Sequence, residues 1–202
     1  MANTLAPSGF ALAGFTDGTA GSLGQSQWQI SSAYSSNIYS GDPVYLTSGY
    51  VTVAASSTST PILGVFIGCE YYSSAVNRKV WSPFWPASTS VPTGTTIDAW
   101  VITNSNATFN VQANNTSALA QSTIGSSYGY AGQGTTGAAP TSQALNGQSV
   151  AYLDTVSGAN SGNPFRLIGF VVAPPGANGT DTTSAYQKVL VGFNNQQFRV
   201  NA

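Results

Sequence analysis

The chain has 202 residues, the length of one ordinary domain, and its 42% hydrophobic and 11% aromatic content rules out a disordered polymer. Only 5% of residues are charged, five Lys and Arg against six Asp and Glu, and histidine is absent. Without an imidazole no Ser-His-Asp or Cys-His pair can be assembled and no histidine can ligate a metal; with a formal charge of -1 there is no cationic footprint for nucleic acid.

The predicted elements are strands. Residues 1–27 carry Phe10, Leu12 and Phe15 among glycines and small residues without either periodicity, and read as an extended N-terminal arm ahead of a single β-domain over 28–202. Asp42 to Leu46 and Gly49 to Val53 are short runs around Thr47-Ser48-Gly49, the signature of a hairpin. Ile62 to Tyr72 is a longer apolar strand, and Thr96 to Thr103 and Thr108 to Gln112 alternate with period two. Trp81-Ser82-Pro83-Phe84-Trp85-Pro86 is an aromatic-proline segment that reads as too stiff for a ladder and too apolar to stay wet.

Ser117 to Ile124 is the one helical candidate, with Thr116 or Ser117 as N-cap and Gly125 as stop. Gly125 to Gly147 is a Gly/Ser/Thr/Ala loop. Val150 to Leu153, Arg166 to Ala173 and Lys188 to Phe193 resume the strand pattern. The chain is therefore expected to be all-β, a β-sandwich or barrel.

Two correspondences suggest an internal repeat. Gly41 and Val44-Tyr45-Leu46, leading to Gly64 within Ile62 to Phe66, echo Gly147 and Ala151-Tyr152-Leu153, leading to Gly169 within Leu167 to Val171. Trp100-Val101-Ile102 with Phe109 to Ala113 line up without a gap against Val189-Leu190-Val191 with Phe198 to Ala202. Two related β units, 41–113 and 147–202, joined by the Gly-rich loop, follow from that reading.

Motifs with chemical associations fall on unsuitable ground. Gly132-Gln133-Gly134-Thr135-Thr136-Gly137 matches the dinucleotide pattern, but no βαβ alternation surrounds it. Gly125-Ser126-Ser127-Tyr128-Gly129 matches the nucleophile elbow, but has no histidine to take the serine proton. The carboxylates Asp17, Asp42, Glu70, Asp98, Asp154 and Asp181 show no pairing along the chain, and Asp17, Asp42 and Asp181 sit in turn contexts. No catalytic residue, cofactor or metal site is expected.

Cys69 cannot form an internal disulfide and reads as a buried, inert thiol. The first basic residue is Arg78, so no signal peptide is expected and synthesis in the cytoplasm is expected instead. The longest apolar run, Pro61 to Cys69, is interrupted by Gly64 and Gly68 and is too short to span a bilayer, so no membrane partner is expected. A charge-poor chain of this kind suits burial against protein neighbours, because desolvating ions at an interface is costly. Trp81, Phe84 and Trp85 have two readings: they plug the open end of a barrel, or they dock on a partner. With Phe10, Phe15 and the Pro174-Pro175-Gly176 turn they form the candidate protein interface.

The opening MANTLAPSGF, SGDPVYLTSGYVTVA followed by ILGVFIGCEYY, then VWSPFWP and APPGANGTDTTSAYQKVLVGFNNQQF, together resemble the capsid decoration (cement) proteins of tailed phages with podovirus-like heads. The resemblance covers most of the chain except 114–147. It implies a jelly-roll-like β-sandwich and a non-enzymatic virion protein on the outside of an HK97-like capsid shell, contacting the major capsid protein and copies of itself as a dimer or trimer, and made in the host cytoplasm. It carries no catalytic residues. The alternative is a phage tail or fibre component that binds host glycans.

Overall fold

The computed structural model describes residues 3–18, 24–55, 59–134, 147–171 and 181–199, and in these the chain is all-β. The strands are β1 (Ala11–Phe15), β2 (Gln25–Ile30), β3 (Ile38–Tyr39), β4 (Pro43–Thr47), β5 (Tyr50–Val53), β6 (Gly64–Ser73) and β7 (Arg78–Ser82). They continue with β8 (Phe84–Trp85), β9 (Ile97–Ile102), β10 (Ala107–Gln112), β11 (Ser127–Ala131), β12 (Tyr152–Asp154), β13 (Phe165–Phe170) and β14 (Lys188–Phe193). One antiparallel sheet runs β1-β10-β14-β13-β11-β12; a second runs β2-β9-β6-β4-β5 with β7 also on β6; β3 and β8 form a small third sheet. No helix among the described residues is long and apolar enough to cross a membrane.

Local chemistry accounts for the clearest elements. The predicted hairpin is β4–β5, and its two-residue loop places Ser48 at φ 52° and Gly49 at φ 85°. Two consecutive left-handed residues give the turn whose twist matches flanking strands. Alternation in β9 buries Ile97, Ala99 and Val101, while strands β10 and β14 bury Phe109, Val111, Val189 and Val191.

The sheets pack into a sandwich around two apolar cores. The first lies between the two large sheets and joins Phe109, Phe165, Leu167 and Val191 to Val65 and Ile102 of the second sheet. The other lies inside the curl of the second sheet, where β5 returns beside β2. Val44, Phe66, Ala99 and Val101 fill it, and Ile38 and Trp85 of the third sheet close it.

Four local expectations are corrected. The segment expected as a loop over 125–147 holds β11, whose Tyr128 and Tyr130 are buried in the first core, and its residues 135–146 lie outside the described residues. Residues 11–15 are an edge strand on β10 rather than a free arm, and Phe10 is core, its ring stacked on Phe165 at 4.2 Å. A bulge between Leu12 and Gly14 shifts the register, so the period of two that would betray a strand is broken. Ser117 to Ile124 forms only a 3-10 turn at Gln121–Thr123. There Gln187 Oε1 accepts from Leu119 N at 2.6 Å and Asn115 Nδ2 donates to Ser117 O at 2.8 Å, so side chains take the backbone groups a helix would pair internally. The aromatic-proline segment does enter ladders: Trp81 lies in β7 and Phe84–Trp85 form β8, with Pro83 confined to the corner between them.

The repeat reading meets a mixed arrangement. Each large sheet holds an antiparallel pair with the same bulge, β6·β9 shifting between Phe66 and Gly68 and β13·β14 between Leu167 and Gly169. By that feature Gly68, not Gly64, occupies the place of Gly169. Outside this pair the order differs, since β4 pairs β6 whereas β12 pairs β11.

Candidate functional site

The predicted interface residues separate. Trp85 is fully buried, with its Nε1 donating to Tyr34 O at 3.4 Å and Tyr71 edge-on at 5.3 Å. It plugs the second core, so it is removed from the docking surface; pairing with Ile38 in β3 turns its side chain inward. The neighbouring Phe84 is half-buried and stacks on Tyr39 at 5.8 Å. Phe10 is removed for the same reason as Trp85, being 2% exposed. Phe15 is half-buried and lies over Gly24. Pro174, Pro175 and Gly176 lie outside the described residues. Among the described residues of this group, Trp81 alone stands in solvent, 56% exposed.

Register explains what surrounds Trp81. Strand alternation sets Lys79 and Trp81 on one face of β7, opposite Tyr72 and Glu70 of β6. Glu70 pairs with Asp98 of β9 and Gly68 with Trp100, and β2 continues both rows with Gln29 and Gln27. One row across the outside of the second sheet is thus Trp81, Glu70, Asp98 and Gln29, and beside it runs the row Gly68, Trp100 and Gln27.

The Trp81 indole leans over Gly68, where an added Cβ would stand 2.4 Å from Cζ2. Glycine here lets the edge of the ring approach the sheet closely. Lys79 Nζ sits 3.1 Å from Glu70 Oε2 and 3.0 Å from Asp98 Oδ2. Hydrogen bonds to Asp98 and Glu70 hold the lysine above its ordinary range, so it stays cationic. The charges come from three strands separated in sequence, and only the register unites them.

A second cluster is buried. Asp42, expected as a turn residue, is fully enclosed. Its Oδ2 accepts from Tyr39 N at 2.8 Å, its Oδ1 accepts from Ser149 Oγ at 2.5 Å, and the Gly134 backbone N–H donates to it as well. Both described ion pairs belong to Lys79, so no described cation faces this carboxylate. Burial pushes its pKa up to about 7, outweighing the three donors, which favour the charged form. The turn at Ser40-Gly41 meets the turn at Gly147-Gln148: Ser40 N donates to Gly147 O and Ser149 N to Ser40 O, each at 2.9 Å. Beside this junction lies a cleft of about 360 Å³ lined by Phe10, Leu12, Gly41, Phe66, Pro83 and Gly147.

The remaining candidates sit in structural settings. Cys69 is buried with its thiol pushed up to about 12 by burial, and Sγ reaches Phe84 O at 3.5 Å. Burial raises the Asp154 carboxyl, but hydrogen bonds from Ser157 and Asn114 prevail and hold it below its ordinary value. Asp181 is lowered by its bonds from the Thr183 hydroxyl and N–H. Asp17 Oδ2 accepts from Asn106 Nδ2 at 2.8 Å. Ser127, the serine of the elbow-like pattern, is buried in β11. Among the described residues no group of three or more Cys, Asp or Glu side chains is placed to hold a metal ion. No protein-family model matches the chain, and no curated protein or solved structure is significantly similar to it.

Proposed function

We propose that the protein is a non-enzymatic structural component of a phage virion, a decoration protein bound to the outside of the capsid shell through the major capsid protein and through copies of itself. The observation that carries this reading is how the described surface spends its side chains. Phe198, Val156, Val76 and Tyr50 project 66%, 63%, 54% and 42% exposed, while the described ion pairs all share Lys79. Val76 and Tyr50 stand at the ends of the β6–β7 and β4–β5 hairpins, where a rigid sheet presents them to a neighbour. Apolar contacts from stiff hairpins suit repeated attachment to a large surface, because little entropy is lost on docking. Binding the assembled shell and not its dissociated subunits stabilises the shell by mass action.

The test is direct. Purified protein is added to heads lacking it, and DNA release is followed on heating. Heads carrying the protein are expected to retain DNA to a higher temperature. Tenfold more NaCl is expected to release little of it, since salt screens ion pairs and leaves apolar contacts in place. Identical release curves, or detachment by moderate salt, would refute the reading.

A further inference from the structure

We propose that the outer face of the second sheet around Trp81 is a binding site for a neutral oligosaccharide. The inference does not depend on where in a virion the protein sits.

The face has the parts a sugar requires. A pyranose presents C–H groups on one side and hydroxyls around its rim. The C–H side is attracted to the electron-rich face of an aromatic ring, and the hydroxyls need partners that both donate and accept. Trp81 supplies the ring, whose edge reaches over Gly68, where no side chain stands beneath it, and which is left 56% exposed. Trp100, partly exposed, is the cross-strand partner of Gly68, over which Trp81 leans, and the exposed amide of Gln27 follows it on β2. In the register row of Trp81 itself, Glu70 and exposed Gln29 supply acceptors and an amide, with Asp98 largely buried between them and held by Lys79. At about 4.8 Å between strands, the span from β7 to β2 is about 14 Å, room for about three pyranose rings.

Charge and hydration select the ligand class. Glu70, Asp98 and Lys79 together carry one net negative charge, which disfavours anionic saccharides. The Lys79 and Glu70 side chains are 50% and 37% exposed. A protein surface covering them would strip water from an ion cluster it had no described means to repay, whereas sugar hydroxyls replace that water bond for bond. All the named groups stand on strands, so the site is formed before the ligand arrives.

The four tryptophans make the test specific, because each indole N–H gives its own signal in a nitrogen-15 correlation spectrum. Full-length protein is titrated with cellotetraose, maltotetraose, chitotetraose and mannotetraose, each to about 10 mM, ample for a millimolar Kd. At least one should shift the Trp81 and Trp100 signals saturably and leave that of buried Trp85 in place. Trp81→Ala should weaken binding at least about tenfold with the other signals undisturbed, and Trp81→Phe should retain part of it. Gly68→Ala, which lifts the ring, should weaken binding without removing the indole.

Failure of all four sugars to move Trp81, or binding by Trp81→Ala within about twofold of the parent, overturns the proposal. If sugars fail and Trp81→Ala instead lowers occupancy on heads, the face is a protein-docking surface and the virion reading survives without this one. Sugar binding by a protein that ignores heads gives the opposite separation.

Discussion

Asp42 sets an unusual pH dependence, and the mutation that exposes it is Asp42→Asn. An aspartate in an unfolded chain titrates near its model value of 3.8, whereas in the folded protein burial raises it to about 7. A carboxyl raised on folding contributes fully below the unfolded pKa, and the contribution is lost as pH rises through the folded one. Linkage across a gap of that size gives a loss of roughly 2.5 kcal/mol between pH 5 and 8, and roughly 4 kcal/mol over the whole transition. Asparagine keeps the shape, can still accept from Tyr39 N, and does not titrate.

Urea unfolding of both proteins at pH 5, 6, 7 and 8, at constant ionic strength, measures the effect. The parent should lose stability towards pH 8, and Asp42→Asn should lose roughly 2.5 kcal/mol less, with unchanged m-values. At pH 5, where the carboxyl is largely protonated in the fold, the two should lie within about 1 kcal/mol of each other. Parallel pH profiles, or a parent that gains stability from pH 5 to 8 relative to the variant, would show that the three donors outweigh burial and would refute the reasoning.

Trp85→Ala should destabilise the fold by about 3–5 kcal/mol by leaving a cavity in the second core, whereas Trp81→Ala should change stability by less than about 1 kcal/mol; chemical denaturation of the two variants compares them. Phe10→Ala should likewise cost about 3–5 kcal/mol, and deletion of residues 1–27 should abolish the cooperative thermal transition, because Phe10 belongs to the first core and β1 to its sheet. Persistence of a sharp transition in the deletion would return that segment to the role of a dispensable arm. Cys69 should resist a thiol-specific disulfide reagent at pH 8 in native protein and react within the dead time in urea, since burial suppresses its thiolate.

The sequence by itself determined the class of fold and most strands, because alternation and turn chemistry are local. Lys188 to Phe193 is β14 as read, Thr96 to Thr103 contains β9, and Ser48-Gly49 forms the expected hairpin turn. Where local signals misled, a non-local contact had intervened. The bulge in β1 hid its period, and Gln187, some seventy residues away in sequence, took the Leu119 N–H at a distance in sequence of 68.

The candidate sites were less legible still. Trp81 and Trp85 read alike in an aromatic-proline segment, yet one caps an outer sheet face and the other fills a core, a division made by the corner at Pro83 and the pairing of β8 with β3. Lys79, Glu70 and Asp98 carry no spacing that announces a cluster; three strands in one register bring them within 3.1 Å of the lysine. Asp42 had the sequence context of a turn and acquired its raised pKa only when Ser149, Tyr39 and the surrounding core enclosed it. Periodicity and turn preference act between near neighbours in the chain, and so survive in sequence. Burial, register and electrostatic environment depend on segments far apart, and only the folded protein decides them.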